Sequence, residues 1–594
     1  MQLLFRIWLI LNPRDRMVVM LLVFFTLICA LLEVFSIGLL VPVLALVQQP
    51  DQIRSIHFLQ PIITAIGSPA PERFLAFLCL GLFGVFLFKN LFQALTSWLQ
   101  TRFVMIRYVR KAQQLFRYYL RCPYTFHLQH NTARLLRNIQ LVQPAIVSVI
   151  LPIILLLTES MVIMALVSLL IYRNPTTAFS AFGILGGVVG ITYLIVRRRL
   201  GELGITQTRE LGELILQAHQ AFGSVKETRV LCREGYFEKS YYSHLLPLGD
   251  AQLQNSFLGQ FPRFVNEIAA VAFVLILLAV FLWQGNPSQE IIITLGLFAV
   301  GALRMLPSMT RIGGSLACIR FYAANFNEIC DDMIASMNYS VESPTELESR
   351  TPLYSDIRFE NVTFTYPNAS SPALTRISLC IQALESVAFV GPSGAGKTTA
   401  VDLLLGLYVP SSGGIYVDGN DIHSDARSWQ RNIGYVPQQI YLSDTTIRGN
   451  VAFGLPDAQI DNHAVERALE MAQLSDFLAS LPEGMNTPVG EHGARLSGGQ
   501  RQRIGIARAL YHNPDVLVMD EATASLDNET EAAFMESIRS LLGKKSMIMI
   551  AHRLSTVEQC DKIFFLKEGK FVAEGTFKEL VKDCEDFARF AGRI

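Results

Sequence analysis

"SVAFVGPSGAGKTTAVDLLLG", Ser386 to Gly406, decides the fold of the C-terminal half. A short apolar run of strand character enters a glycine-rich loop, and a helical pattern follows. Gly391 to Thr398 fit GxxxxGK[ST] without mismatch. Gly391, Pro392, Ser393, Gly394, Ala395, Gly396, Lys397, Thr398 and Thr399 therefore read as one phosphate cradle. Glycines let successive backbone N–H groups close around an anion, and the start of the helix adds its positive dipole end. In such a loop Lys397 reaches the β and γ phosphates, and the Thr398 hydroxyl holds Mg2+. ATP and Mg2+ are the expected nucleotide and metal.

Two further motifs lie downstream. "VLVMDE" is an apolar strand ending in Asp520 and Glu521. An acidic pair at a strand end beside a phosphate loop suits metal binding and activation of an attacking water. "LSGGQRQRIGIARAL", Leu496 to Leu510, places Ser497, Gly498, Gly499 and Gln500 at the start of a helix, where N–H groups face an anion. Short β-rich runs such as "IRFENVTFTY" alternate with helical patterns, which predicts an α/β domain with a largely parallel sheet.

With these motifs together, residues 356–594 resemble an ABC-transporter nucleotide-binding domain. The resemblance implies that Tyr366 of "FTYP" stacks on adenine. It makes Gln438 of "YVPQ" a sensor of Mg2+, and "VGEHG" (Val489 to Gly493) a segment that touches coupling helices. It likewise assigns Asp527 of "TASLD" to the D-loop and His552 of "IAHRLST" to the γ-phosphate. Catalysis would then rest on Glu521, His552 and Lys397, and metal binding on Thr398, Gln438 and Asp520. In this family the signature of one chain closes over the phosphate loop of another. One copy per chain implies a dimer: a homodimer is the simpler expectation, with a heterodimer as the alternative.

The N-terminal half has a different character. The 594-residue chain is 51% hydrophobic and 17% charged, which points to a membrane component. Basic and acidic residues balance at 50 each, so charge nominates no nucleic-acid partner. Nine cysteines are scattered without metal-like spacing. Six stretches read as spans: 17–47, 74–99, 146–171, 178–196, 264–283 and 291–309. The first runs well beyond the core of a cleavable signal peptide. Residues 101–140 carry eight basic residues and no acidic one, so they belong to the cytoplasmic side. Connections 101–145 and 197–262 then lie inside, read as mostly helical, and extend the spans into the cytoplasm. Residues 1–340 form a transmembrane domain, 341–355 a polar linker, and 356–594 the nucleotide-binding domain. The fold class is an α-helical membrane domain plus an α/β P-loop ATPase domain.

Six spans with a fused C-terminal ATPase resemble an ABC exporter of the type IV fold, a multi-pass protein of the bacterial inner membrane with its ATPase in the cytoplasm. "CPYTFHLQHNTARLLRNI" (Cys122 to Ile139) and "AFGSVKETRVLCREGYF" (Ala221 to Phe237) resemble the coupling-helix regions. Segments at Phe86–Gln100, Pro262–Glu267 and Ala302–Ile312 resemble lipid-linked-oligosaccharide flippases, as does "GSVKETRVLCRE". That resemblance implies an amphipathic, anionic, lipid-linked cargo, met by basic residues in a cavity. By it, residues 48–64 would form a short external helix. A multidrug or peptide exporter is the alternative. A soluble ABC ATPase acting on DNA or ribosomes does not explain six spans, and a channel or regulatory subunit does not explain a complete catalytic set.

Three basic residues are candidates for the cargo. Lys89 and Arg304 each fall roughly 20 Å along inward-running spans, and Arg263 stands at the inner end of the fifth. Each could instead snorkel to the headgroups, and Arg263 could pair with Glu267. Glu33 sits in the first span toward the outer half, with no basic residue of the same chain evident at its depth.

Overall fold

Runs of apolar residues too long for a bilayer crossing form single unbroken helices in the computed structural model. The backbone is described over residues 2–48, 71–173, 175–283, 288–339, 350–520, 536, 538–551 and 557–592. Within the helices the side chains of 40–48, 71–75, 288–304 and a few other residues are outside the description. The chain divides into two units, Met1–Cys122 with Gln129–Ser340, and Pro123–Leu128 with Val341–Ile594.

The first unit is all helix. A short α1 (Gln2–Ile10) precedes α2 (Pro13–Gln48), α3 (Pro71–Arg121), α5 (Thr132–Arg173), α6 (Pro175–Gly223), α8 (Glu234–Trp283) and α9 (Ser288–Asn338). Short helices α4 (Tyr124–Gln129), most of which groups with the second unit, and α7 (Val225–Val230) fall between the long ones in sequence at the two regions expected to couple. Each of the six long helices contains one expected span. Helices of 51 residues, α3 and α9, would rise roughly 75 Å, more than twice a hydrocarbon core. The inner connections are therefore helical continuations, as the sequence pattern predicts. Among the described residues four segments are long and apolar enough to cross a membrane: Pro13–Ser36, Ala76–Arg121, Thr132–Ser168 and Glu234–Val280. The expected external helix falls largely on residues outside the description. Pro307 does not end α9; the helix runs through it.

Several charges inside this unit are paired. Lys89 Nζ lies 3.1 Å from Glu33 Oε2, and the two residues are 6% and 3% exposed. The ammonium also sits 4.8 Å from the Phe86 ring centroid. This corrects the reading of Glu33 as without a basic residue at its depth, and it gives Lys89, a candidate for the cargo, a carboxylate partner within the chain. The residue spacing along α2 and α3 did not reveal the match, because helix offsets differ from simple counts along each span. Arg311 of α9 bonds Glu159 of α5 at 2.6 Å, and Arg107 of α3 meets Asp15 of α2 at 2.8 Å. An apolar cluster of Ala30, Val162, Leu166, Ala270, Phe273 and Met305 packs α2, α5, α8 and α9 together.

The second unit contains two sheets. Strands β1 (Asp356–Phe364), β2 (Leu374–Gln382), β4 (Ser412–Val417) and β5 (Asn420–Asp421) form an antiparallel sheet in the order β2-β1-β4-β5. The six-stranded sheet has the order β10-β9-β3-β8-β7-β6, with β3 (Ser386–Val390), β6 (Ile433–Val436), β7 (Val516–Asp520), β8 (Ser546–Ile550), β9 (Lys562–Lys567) and β10 (Lys570–Gly575). All its pairings are parallel except β10 with β9. All five residues of β3 are buried, as a parallel strand covered on both faces requires. The antiparallel sheet was not separated from the parallel one in the sequence. The alternation in β1, with Ile357, Phe359, Val362 and Phe364 buried and Arg358 and Glu360 exposed, is the signal that marks it.

Removing one member of the Lys89–Glu33 pair leaves a buried charge uncompensated. Lys89→Ala and Glu33→Ala should each destabilise the solubilised chain by about 3–5 kcal/mol. Replacing both, as Glu33→Leu with Lys89→Met, should restore most of that loss in thermal unfolding. A double variant as unstable as the singles would contradict the pairing.

Candidate nucleotide site

The parallel strands β3, β7 and β8 end at one edge of their sheet, the edge where ligands of such sheets bind. The phosphate loop leaves β3 at this edge and enters α10 (Lys397–Leu404), whose N-cap is Gly396. Gly391 has φ 155, and a Cβ there would stand 2.1 Å from the Leu566 carbonyl oxygen, so this turn admits only glycine. Pro392, Ser393, Gly394 and Thr398 are exposed, whereas Ala395 and Thr399 are buried. Lys397 is buried, and its Nζ donates to the carbonyls of Gly391 (2.9 Å) and Pro392 (3.0 Å). The ammonium is thus held over the inside of the loop.

Tyr366 stands beside the loop. Its hydroxyl is 2.9 Å from Thr399 Oγ1, and its ring packs edge-on against Phe364 and Tyr408. The face opposite such edge contacts can receive a purine, which suits the stacking role that resemblance implies. Tyr408 was not singled out in the sequence. It stacks on Phe364 and also meets the ring of Tyr124, on α4, at 5.7 Å. Pro123–Leu128 accordingly groups with this unit and not with its neighbours in the chain.

Asp520 closes β7 at the same sheet edge. Asp402 of α10 shares its surroundings: burial, and then the charge of Asp520, push its carboxyl up to about 6. An exposed Thr398 hydroxyl, the Asp520 carboxylate and the exposed amide of Gln438 after β6 offer oxygen donors, the set a hard divalent cation prefers. These residues fit Mg2+.

The signature turn is a built helix start. Ser497 caps α11 (Gly498–Leu510), and its Oγ accepts the Gln500 N–H at 3.2 Å. Gln500 Oε1 accepts the Ser497 N–H at 2.8 Å, completing a capping box. The serine oxygen serves the helix as an acceptor, so its hydroxyl hydrogen is left to donate. The N–H groups of Gly498 and Gly499 complete a donor cluster at the positive end of a 13-residue helix. In the Val489–Gly493 segment, His492 meets the ring of Tyr441 edge-on at 5.6 Å. Glu521, Asp527 and His552 lie outside the described residues, as does the side chain of Arg304. Arg263 is exposed on α8 and makes no ion pair with a described residue, Glu267 included.

The ABC transporter family model matches residues 374–524. An ATP-dependent lipid A-core flippase of Ralstonia nicotianae is 31% identical over 478 residues, 79% of either chain. A protein of the same name from Cupriavidus pinatubonensis is 31% identical over 509 residues, 84% of either chain. Among solved structures, a bacterial Atm1-family ABC exporter with ATP bound superposes with a TM-score of 0.76. It covers 98% of each chain at 23% identity, a likeness of fold.

The raised Asp402 carboxyl makes a pH prediction for the Mg2+-free chain. Unfolded, this group ionises near 3.8; folded, near 6. Folding therefore takes up a proton between those values, and stability falls as pH rises through that window, then stays low above it. Asp402→Asn should flatten the decline of melting temperature between pH 4 and pH 7. An unchanged slope would show that Asp402 does not titrate there.

Proposed function

The chain belongs to the ABC transporter family and is an ATP-hydrolysing exporter; from that premise we propose that it flips an amphipathic, anionic, lipid-linked molecule across the bacterial inner membrane. The observation that carries this reading is its likeness, over about four fifths of its length, to proteins named lipid A-core flippases. Arg263 supports it: an exposed cation at the inner end of a span, without an ion-pair partner among the described residues, is available to an anion. Arg304 is its proposed companion on α9. Lys89, held by Glu33, acts here by positioning α3 and not as a free charge.

Two copies of the chain form the working unit in this reading. Tyr366 stacks on the adenine of ATP, the Gly391–Thr399 loop and Lys397 hold its phosphates, and Thr398, Gln438 and Asp520 hold Mg2+. Bound Mg2+ would neutralise charge developing on the transferred phosphate. Ser497, Gly498, Gly499 and Gln500 of one chain approach the nucleotide held by the other, with Asp527 at the same junction. Glu521 polarises the attacking water, and His552 stabilises the γ-phosphate. Closure of the ATPase domains turns the cavity outward through α4 and α7, and hydrolysis resets it. A lipid-linked oligosaccharide is the finer form of the proposed cargo.

Reconstitution into liposomes tests the proposal by following ATP-dependent translocation of a polyprenyl-pyrophosphate glycan. Glu521→Gln should abolish turnover while nucleotide-locked dimers persist. Arg263→Ala should lower lipid-stimulated hydrolysis about tenfold and leave basal hydrolysis within about twofold, the loss of one charged contact. Equal losses in both, or transport indifferent to neutralising Arg263 and Arg304, would favour a multidrug or peptide exporter.

A further inference from the structure

A cavity of ≈ 590 Å³ opens in the second unit on the far side of β6, away from the phosphate loop's strand β3. Arg350, Arg431, Arg508 and His512 line it, with Tyr435 and the backbone of Gly434. β6 is the last described strand of its sheet, so among the described residues the backbone groups on this side have no strand partner. At Gly434 a Cβ would stand 2.6 Å from the Ala509 carbonyl oxygen, so α11 and the strand meet there backbone to backbone. No side chain can fill the cavity from that position.

Arg508 is held in place by groups that do not cancel its charge. Arg508 donates from Nε and Nη1 to the carbonyls of Asn450 and Tyr441, both at 2.9 Å. Its Nη2 reaches Asn450 Oδ1 at 3.1 Å, and its guanidinium lies on the Phe453 ring. All three acceptors are neutral. Arg350 donates to Asn432 Oδ1 and to the Asn513 carbonyl, both at 2.7 Å. Its one carboxylate neighbour, Asp515, is 3.4 Å away and also accepts from Asn432 Nδ2 and the Leu353 N–H. Arg431 is exposed and makes no ion pair with a described residue. Of the three guanidinium groups lining the cavity, Arg350 alone has a carboxylate within ion-pair range among the described residues. Burial, and then Arg350 and Arg431, hold the His512 imidazole below its ordinary range, the response of a histidine in a positive field.

We propose that this cavity is a second anion site, separate from the nucleotide loop, that takes a small phosphate-bearing anion. Pre-placed guanidinium forks match phosphate oxygens, and a positive field that one carboxylate only partly offsets is relieved by binding one. Arg350 is the first described residue of the 341–355 linker, so a bound anion would fasten the entry of the chain to the sheet edge at Arg431.

The test uses the full chain in nanodiscs, with its nucleotide loops saturated by Mg-ADP and pyrophosphate as the probe. Thermal unfolding should show a saturable rise in melting temperature. The His512 resonance, assigned through His512→Gln in 15N-histidine-labelled protein, should titrate at higher pH when pyrophosphate is bound. Arg431→Glu should weaken the effect by about tenfold or more and leave basal hydrolysis unchanged, whereas Arg431→Lys should keep most of it. A rise that persists undiminished in Arg431→Glu would place pyrophosphate elsewhere and overturn the proposal. So would a wild-type chain indifferent to pyrophosphate in which Arg431→Glu uncouples hydrolysis from lipid, since the cations would then serve a contact with the second copy.

Discussion

A strand buried on both faces has to surrender its chain abruptly at the sheet edge, and the nucleotide site depends on that constraint. β3 is covered completely, and the Leu566 carbonyl crowds the first residue beyond it. Only glycine passes there, so the backbone turns within one residue and its N–H groups are presented before α10 begins. β7 ends at the same edge for the same reason, and it carries Asp520 to the place where Asp402 feels it. The chemistry is set by strand geometry first and by residue identity second.

A second constraint governs the long helices. Charge within them is tolerated where it is matched, and the matches join helices that are distant in sequence: Lys89 with Glu33, Arg311 with Glu159, Arg107 with Asp15. The pair that lies within expected spans, Lys89 with Glu33, fixes the rotation of α2 against α3, because a slip of one residue would turn a charge into the lipid. In water such pairs contribute little. In hydrocarbon, the cost of breaking them makes them specifiers of register.

The sequence was most legible where backbone geometry and chemistry coincide. The loop Gly391–Thr398 and the cap at Ser497 demand particular residues at particular spacings, so both could be read in advance. The helical continuations were legible because their polar and apolar turns alternate beyond bilayer length. What escaped were relations between elements. Glu33 and Lys89 are 56 residues apart, and nothing in either helix alone records that they face one another. The aromatic stack of Tyr366, Phe364, Tyr408 and Tyr124 draws on three separated segments. The antiparallel sheet was hidden inside an α/β rhythm because β1 and β2 also read as strands between turns, and only their alternation of apolar and polar residues distinguishes them from the buried strands β3, β7 and β8.

The same comparison of charge with surroundings separates structural cations from binding ones. Lys89 and Arg311 each have a carboxylate within hydrogen-bond range, so their charge is consumed in holding the fold. Arg508 is held just as firmly, but by carbonyl oxygens and an aromatic face, which fix its position and leave its charge to act outward. Arg263 is neither buried nor paired among the described residues, so its charge is also available. Position along a span, used alone, placed Lys89 and Arg263 in one class. The identity of the acceptor is what divides them: a carboxylate neighbour marks a residue that holds helices together, and neutral or missing acceptors mark one whose field reaches a ligand.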